Sequence, residues 1–165
     1  MLFRSRTVGD LLVAAFFDGN KPKERERLAR LYIEETLLWN DSEEPGSQIA
    51  SALDGLRHSK KIIPLHWELA FPDAFNRQNP GFDAVVGNPP FSGGHLITGS
   101  FGTDYFAWLT TEFYPAGHHC DLVAYFLRRA YQTLRAKGAL GLLTTDSICK
   151  GDTRNGGLEI GRAHV

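Results

Sequence analysis

The segment Phe82-Asp83-Ala84-Val85-Val86-Gly87-Asn88-Pro89-Pro90-Phe91 reads as a short apolar strand that runs directly into an Asn-Pro-Pro-aromatic turn. Asn88 and Pro89 each precede a proline, so both are held extended, while the two pyrrolidine rings fix φ and remove two backbone donors. The result is a stiff corner rich in acceptors. The Asn88 side-chain oxygen and the Pro89 carbonyl can each accept one hydrogen of an exocyclic amino group. Such a nitrogen ordinarily shares its lone pair with an aromatic ring and is a poor nucleophile. Two acceptors that draw its hydrogens out of the ring plane return the lone pair to nitrogen, a preorganised electrostatic assistance that needs no general base. Phe91 then offers a flat face on which a substrate ring can stack. A plain proline-stiffened loop after a buried strand has no need of this order of residues.

Asn88-Pro89-Pro90-Phe91 resembles the catalytic motif of the class I, S-adenosylmethionine-dependent amino-methyltransferases, specifically those that methylate adenine N6 in DNA. The resemblance implies that Asn88 and Pro89 bind the adenine amino group, that Asn88 also borders the cofactor, and that Pro90 holds the turn. Phe91 would stack on an adenine flipped out of the duplex. Upstream, Leu65-His66-Trp67-Glu68-Leu69-Ala70-Phe71-Pro72-Asp73-Ala74-Phe75 resembles the segment before this motif in the fused restriction-modification enzymes of the type IIG kind and their phage-defence relatives. Many of these carry an acidic residue against the adenine of S-adenosylmethionine where His66 stands; His66 departs from that pattern, and the resemblance marks its position as a candidate cofactor contact. A histidine packed at a strand end is the competing reading, and Trp67 and Phe71 read first as core aromatics. Lys150 to Leu158 resembles a loop of the same enzymes, where Arg154 and Lys150 could meet a substrate phosphate, although such charges more often sit on a solvated loop.

Protein-glutamine and some RNA methyltransferases use a similar turn, and a non-catalytic module could retain the fold, so these stand as alternatives. The long N-terminal helices, His66-Trp67 and Gly151-Asp152-Thr153-Arg154 favour DNA.

The elements that must position the turn follow from periodicity. Asp121 can cap a helix in which Leu122, Val123, Phe126, Leu127, Ala130, Tyr131 and Leu134 recur at three- and four-residue spacing, with Lys137-Gly138 as its end. Ala139 to Thr144 reads as the next buried strand. Strand, crossover helix and strand make a parallel, right-handed unit with ligand sites at the carboxyl ends, so Asn88 and Asp146-Ser147 should open onto one face. Val85 and Leu142 are expected to be buried in adjacent strands. The fold class is α/β: a partial Rossmann-like class I methyltransferase sheet of parallel strands with crossover helices, preceded by a helical segment. Ser92 to Gly102 is rich in glycine and small polar residues and is expected to be a mobile loop. Tyr105, Phe106, Leu109 and Phe113 return at helical spacing, which reads as packing. His118, His119 and Cys120 have no second ligand cluster at zinc-site spacing, so no metal is expected.

The first sixty residues carry no catalytic motif. Asp10 to Phe17 reads as a short helix, and Lys21 to about Trp39 as a longer one with Leu28, Leu31, Tyr32, Thr36 and Leu37 along one side. Its Lys23-Glu24-Arg25-Glu26-Arg27 charges read as a solvated face. Asp41 to Ser47 breaks the pattern before another short helix that ends near Arg57. The expected organisation is a helical segment over 1–60, a partial methyltransferase catalytic domain over 61–158, and a tail over 159–165. That tail, Glu159-Ile160-Gly161-Arg162-Ala163-His164-Val165, resembles the in-frame translation of a sequencing adapter and is expected to be non-native.

The chain has 165 residues, 42% of them hydrophobic, and a net charge of −1. That charge argues against a free-standing nucleic-acid binder, but a separate recognition domain often builds the basic cleft of a DNA enzyme. No membrane partner is expected, and two cysteines form no disulfide framework, which suits a reducing cytoplasm. A complete enzyme of this kind needs a glycine-rich turn after its first strand and an acidic residue after its second. Neither precedes Asn88. The chain is therefore expected to be an internal fragment, inactive and poorly stable alone. Its partner would be double-stranded DNA, reached through a full-length parent that carries target-recognition and possible nuclease domains.

Overall fold

Strands β1 (Phe82–Gly87) and β2 (Leu134–Leu142) pair in parallel in a computed structural model that describes residues 2–39, 45–60 and 62–158. The parallel sense is the one expected, and the register sets Val85 opposite Leu140 and Gly87 opposite Leu142. Burial differs from expectation. Val85 and Leu142 are only half-buried, Val86 is 82% exposed and Leu143 71% exposed. Among the described residues the sheet has two strands, so each strand lacks a neighbour on one side. The architecture is mixed helix and strand, with this small parallel sheet in the second of two units into which the chain divides, Met1–Pro72 and Asp73–Val165.

The single turn α5 (Pro72–Phe75) spans the boundary, and β1 follows in the second unit. Helices α6 (Gly94–Phe101), α7 (Thr103–Glu112) and α8 (Leu122–Thr133) carry the chain across to β2. A 3₁₀ turn (Asp146–Cys149) and α9 (Gly151–Leu158) follow. The mobile loop expected after the turn is instead helical. Ile97 of α6 is fully buried and packs with Leu109, Phe113, Ala116, Cys120, Leu122, Ala124 and Tyr125. One apolar anchor thus outweighs the glycine content around it, and Gly102, at φ 86°, makes the break between α6 and α7. Of the residues expected to pack, Leu109 and Phe113 are buried, while Tyr105 and Phe106 lie partly buried against them.

Helix α8 is capped as expected, with Asp121 Oδ1 accepting the Val123 N–H at 3.0 Å. It ends four residues early, at Thr133, because Leu134 is already extended (φ −76°, ψ 142°). Lys137-Gly138, expected as the helix end, lies inside a bulge of β2, where the register jumps between the pairs Phe82–Leu134 and Ala84–Ala139. Lys137 is left-handed there (φ 64°). Asn79 grips the bulge through both ends of its amide, accepting the Ala136 N–H at 3.2 Å and donating to the Ala136 carbonyl at 3.3 Å. Asp83 accepts from Arg135 Nε at 2.5 Å and Arg77 at 3.2 Å. These two donors, Arg135 first, hold the Asp83 carboxyl below the usual carboxylate range. Its contribution to the ladder is therefore present above that range and lost as the pH falls through the lowered value.

The buried face of α8 is also rotated from the expected one. Phe126 and Tyr131 are 45% and 51% exposed, and Tyr125 and Arg128 are buried instead. Val123 and Leu127 pack with Ile148 against Leu140 and Leu142, so α8 covers one face of the sheet.

The first unit is helical. It comprises α1 (Leu2–Asp18), α2 (Pro22–Leu38), α3 (Ser47–Asp54, continued by a π turn, Gly55–Ser59) and the single turn α4 (Trp67–Ala70). Leu11, Ala14, Ala15, Tyr32, Ile49, Ala52 and Leu56 form its core. Helix α1 starts eight residues before the Asp10 expected, and Leu37, expected on the buried side of α2, is 75% exposed. Arg25 is engaged, its guanidinium 3.7 Å over the Phe16 ring. Trp67 and Phe71 are not core residues; they stack on each other at 5.8 Å, with Phe71 44% exposed. The expected non-native tail lies outside the described residues.

Arg128 is 7% exposed, its Nε has no hydrogen-bond partner, and no carboxylate among the described residues pairs with it. Burial accordingly pushes its guanidinium below the usual arginine range. A buried donor left unpaired costs about 1–3 kcal/mol. Arg128→Met, which keeps the volume and removes the charge, is expected to leave stability unchanged or raise it by up to that amount, read as the midpoint of thermal unfolding.

Candidate active site

The turn begins where the ladder stops. Gly87 is the last residue of β1, and its carbonyl accepts the Leu143 N–H at 2.9 Å, so the two strands end together. Asn88, Asp146 and Ser147 therefore follow the same edge of the sheet. Asn88 is exposed, and among the described residues its side-chain amide has no hydrogen-bond partner. Pro89 is buried and Pro90 exposed, so one ring wedges the corner into the unit while the other faces solvent. Phe91 is 43% exposed and meets no other aromatic ring among the described residues. A free amide at the mouth of a strand, beside a free aromatic face, is an arrangement that can take an amino-bearing ring.

The chain is fastened again at Ser92. Its N–H donates to Asp121 Oδ1 at 3.2 Å, and its carbonyl accepts the Leu122 N–H at 2.9 Å. Asp121 in turn donates its own N–H to Thr153 Oγ1 at 3.0 Å. Next to it, the Cys120 thiol donates to the Asp152 carbonyl at 3.1 Å. Thr153, Gly156 and Gly157 form the buried side of α9, where a loop was expected. The contact is close because two glycines permit it. A Cβ on Gly156 would stand 2.5 Å from the Cys120 sulfur and 3.1 Å from Ala116 Cα. On Gly157 it would stand 3.3 Å from Ala124. Tyr125 donates its hydroxyl to the Gly117 carbonyl at 2.9 Å, and burial, with Cys120 nearby, pushes that hydroxyl well above the usual tyrosine range. It remains a donor at every physiological pH.

The other residues singled out from the sequence are dispersed. Arg154 is exposed on α9, next to Thr153, and its guanidinium is unpaired among the described residues. Lys150 is instead bonded to Asp146, which raises the lysine and lowers the carboxyl. His66 belongs to the first unit, where its Nε2 lies 2.9 Å from Asp10 Oδ1. Asp10 is 1% exposed and also accepts from Arg57 at 3.0 Å. His118 packs against Phe106 and His119 against His95. Among the described residues no three His, Cys, Asp or Glu side chains gather as a metal site would require. Cys120 and Cys149 are free thiols, and burial pushes the Cys120 thiol up. No described helix is long and apolar enough to cross a membrane.

The family model for the Eco57I restriction-modification methylase matches residues 20–158. The chain belongs to that family. No curated protein and no solved structure matches it. In this methylase chain the match takes in the Asn88–Phe91 turn, the Asp121 cap and α9 together. Ser92 and Thr153 carried no sequence signal of their role, since a serine after an aromatic and a threonine in a charged segment are ordinary. The Gly156-Gly157 pair was the available clue, because adjacent glycines inside a helix are costly unless two backbones must approach.

Gly156→Ala is therefore expected to destabilise the second unit by about 1–3 kcal/mol through overpacking against Cys120. Gly55→Ala is the contrasting case, since its backbone is right-handed helical and a Cβ there meets nothing within 4 Å. It should be neutral or stabilising by about 0.4–1 kcal/mol. Chemical denaturation of the two variants checks both signs.

Proposed function

We propose that the chain is the amino-group-binding part of a site-specific DNA adenine-N6 methyltransferase in a restriction-modification or phage-defence system. The observation that carries this reading is the unpartnered Asn88 amide at the carboxyl end of β1, beside the buried Pro89 and the open face of Phe91. The Asn88 oxygen and the Pro89 carbonyl each accept one N–H of the adenine amino group, drawing the hydrogens out of the ring plane and returning the lone pair to the nitrogen. Pro90 keeps the corner closed. Phe91 holds the flipped base by stacking. Arg154, exposed and unpaired, is the side chain of α9 suited to a nearby phosphate. The whole enzyme would reach double-stranded DNA through target-recognition segments of a longer protein acting in the cytoplasm.

S-adenosylmethionine, the donor this chemistry calls for, supplies an electrophilic methyl group. The described residues fit one side of its site. β1 is the first described strand, and the glycine-rich turn and acidic side chain that such a donor needs at earlier strand ends are not among the described residues. Asn88 is the residue here that would border the methyl group. The bond between His66 and the buried Asp10 favours a packing role for His66 over a cofactor contact. The 165-residue chain by itself is expected to bind S-adenosylmethionine weakly, and calorimetry that found submicromolar affinity would overturn this one-sided reading of the pocket.

In the full-length enzyme, Asn88→Ala is expected to lower methyl transfer by a factor of about 10² to 10³ while leaving donor binding nearly intact, as when a preorganised polar group is lost. Phe91→Ala removes a stacking face worth roughly 1–3 kcal/mol and should weaken capture of the base, whereas Phe91→Trp should retain most activity. Methylation assays on duplex DNA and on a release-factor protein decide both mechanism and substrate. Full activity in Asn88→Ala would refute the mechanism. Transfer to glutamine alone would refute the choice of adenine.

A further inference from the structure

We infer that Asp121 is a positioning residue for the catalytic turn, and that Thr153 of α9 holds it in place. The inference rests on the reading of Asn88–Phe91 as the amino-group site. Pro89 and Pro90 have no N–H, and the Phe91 N–H finds no partner among the described residues. The first backbone donor after Asn88 that is satisfied is that of Ser92, and its acceptor is Asp121 Oδ1.

Upstream, the turn hangs from Gly87, whose carbonyl is tied to Leu143. Downstream, it hangs from Asp121. An ordinary N-cap uses its oxygen on its own helix. Asp121 Oδ1 does this for Val123 at 3.0 Å and also reaches outside the helix to Ser92. The Leu122 N–H, one of the helix's free first-turn donors, goes to the Ser92 carbonyl rather than to solvent. Both backbone groups of Ser92 are thus fixed to the start of α8, one residue from the stacking ring of Phe91. Thr153 accepts the Asp121 N–H, so the seating of α9 against Cys120 and Ala116 sets where that carboxylate stands.

Capping and clamping can be separated. Asp121→Ser keeps a good N-cap but is too short to serve Ser92 as well. Asp121→Asn keeps the longer acceptor. Thr153→Val removes the acceptor behind Asp121 at nearly constant volume. The test uses the full-length methyltransferase, with plasmid duplex DNA and labelled S-adenosylmethionine, and follows amide hydrogen exchange at Phe91 and Ser92 in the same protein.

Asp121→Ser is expected to leave the thermal midpoint close to wild type, quicken exchange at Ser92 roughly 10- to 100-fold, and lower kcat by a similar factor with KM for the donor unchanged. That factor is the worth of one hydrogen bond to a charged acceptor. Asp121→Asn should restore most of both, and Thr153→Val should show a smaller loss of the same kind. Wild-type exchange at Ser92 in Asp121→Ser would overturn the inference, and so would quickened exchange with unchanged kcat. A wild-type enzyme that methylates no adenine refutes the proposed substrate instead, and exchange at Ser92 then still decides whether Asp121 holds the turn.

Discussion

Parallel pairing of β1 with β2 is the constraint from which the site follows. Two parallel strands cannot be joined by a tight turn, so the chain must leave the carboxyl end of β1, cross a face of the sheet and re-enter at the amino end of β2. Helices α6, α7 and α8 make that journey. Its consequence is that the Asn88 turn and the residues after Leu143 emerge at one edge, while the start of α8 comes back to meet the turn it left. Were the pairing antiparallel, Ser92 and Asp121 would have no reason to meet.

The chemistry of the turn and its anchorage have one cause. Two successive prolines give the corner its fixed shape and expose carbonyls without competing donors, which suits it to an amino group. The same residues deprive it of the backbone hydrogen bonds that hold most turns. The fold answers at Ser92, where both backbone groups are taken up by α8, and behind α8 by a helix seated on two glycines. Three layers of contact, turn on cap, cap on threonine and glycine on sulfur, back the geometry of one exposed amide.

Much of this was legible from residue types. Strand, turn, capping aspartate and following strand were each visible because their signals are local: short apolar runs, a proline pair and an acidic residue before an apolar period. The boundaries that failed were decided by distant partners. Lys137-Gly138 was expected to end the helix, yet Lys137 takes its left-handed step inside β2, where Asn79 and Asp83 hold a bulge instead. Ser92 to Gly102 looks mobile until Ile97 is given a core to enter. Arg128, outside the apolar period of α8, is buried, and no pattern along the helix announces it. His66 is a similar case, because its partner Asp10 lies 56 residues away in sequence.

One further property belongs to the proline pair. A strand with an open flank invites another to lie along it, and β1 has such a flank among the described residues. A ladder grows only while both chains offer donors and acceptors in step, and Pro89 and Pro90 offer none of the former. Any neighbour added beside β1 runs out of donors at Pro89. The motif thus acts as a stop for the sheet, and keeps its own doorway from being zipped shut.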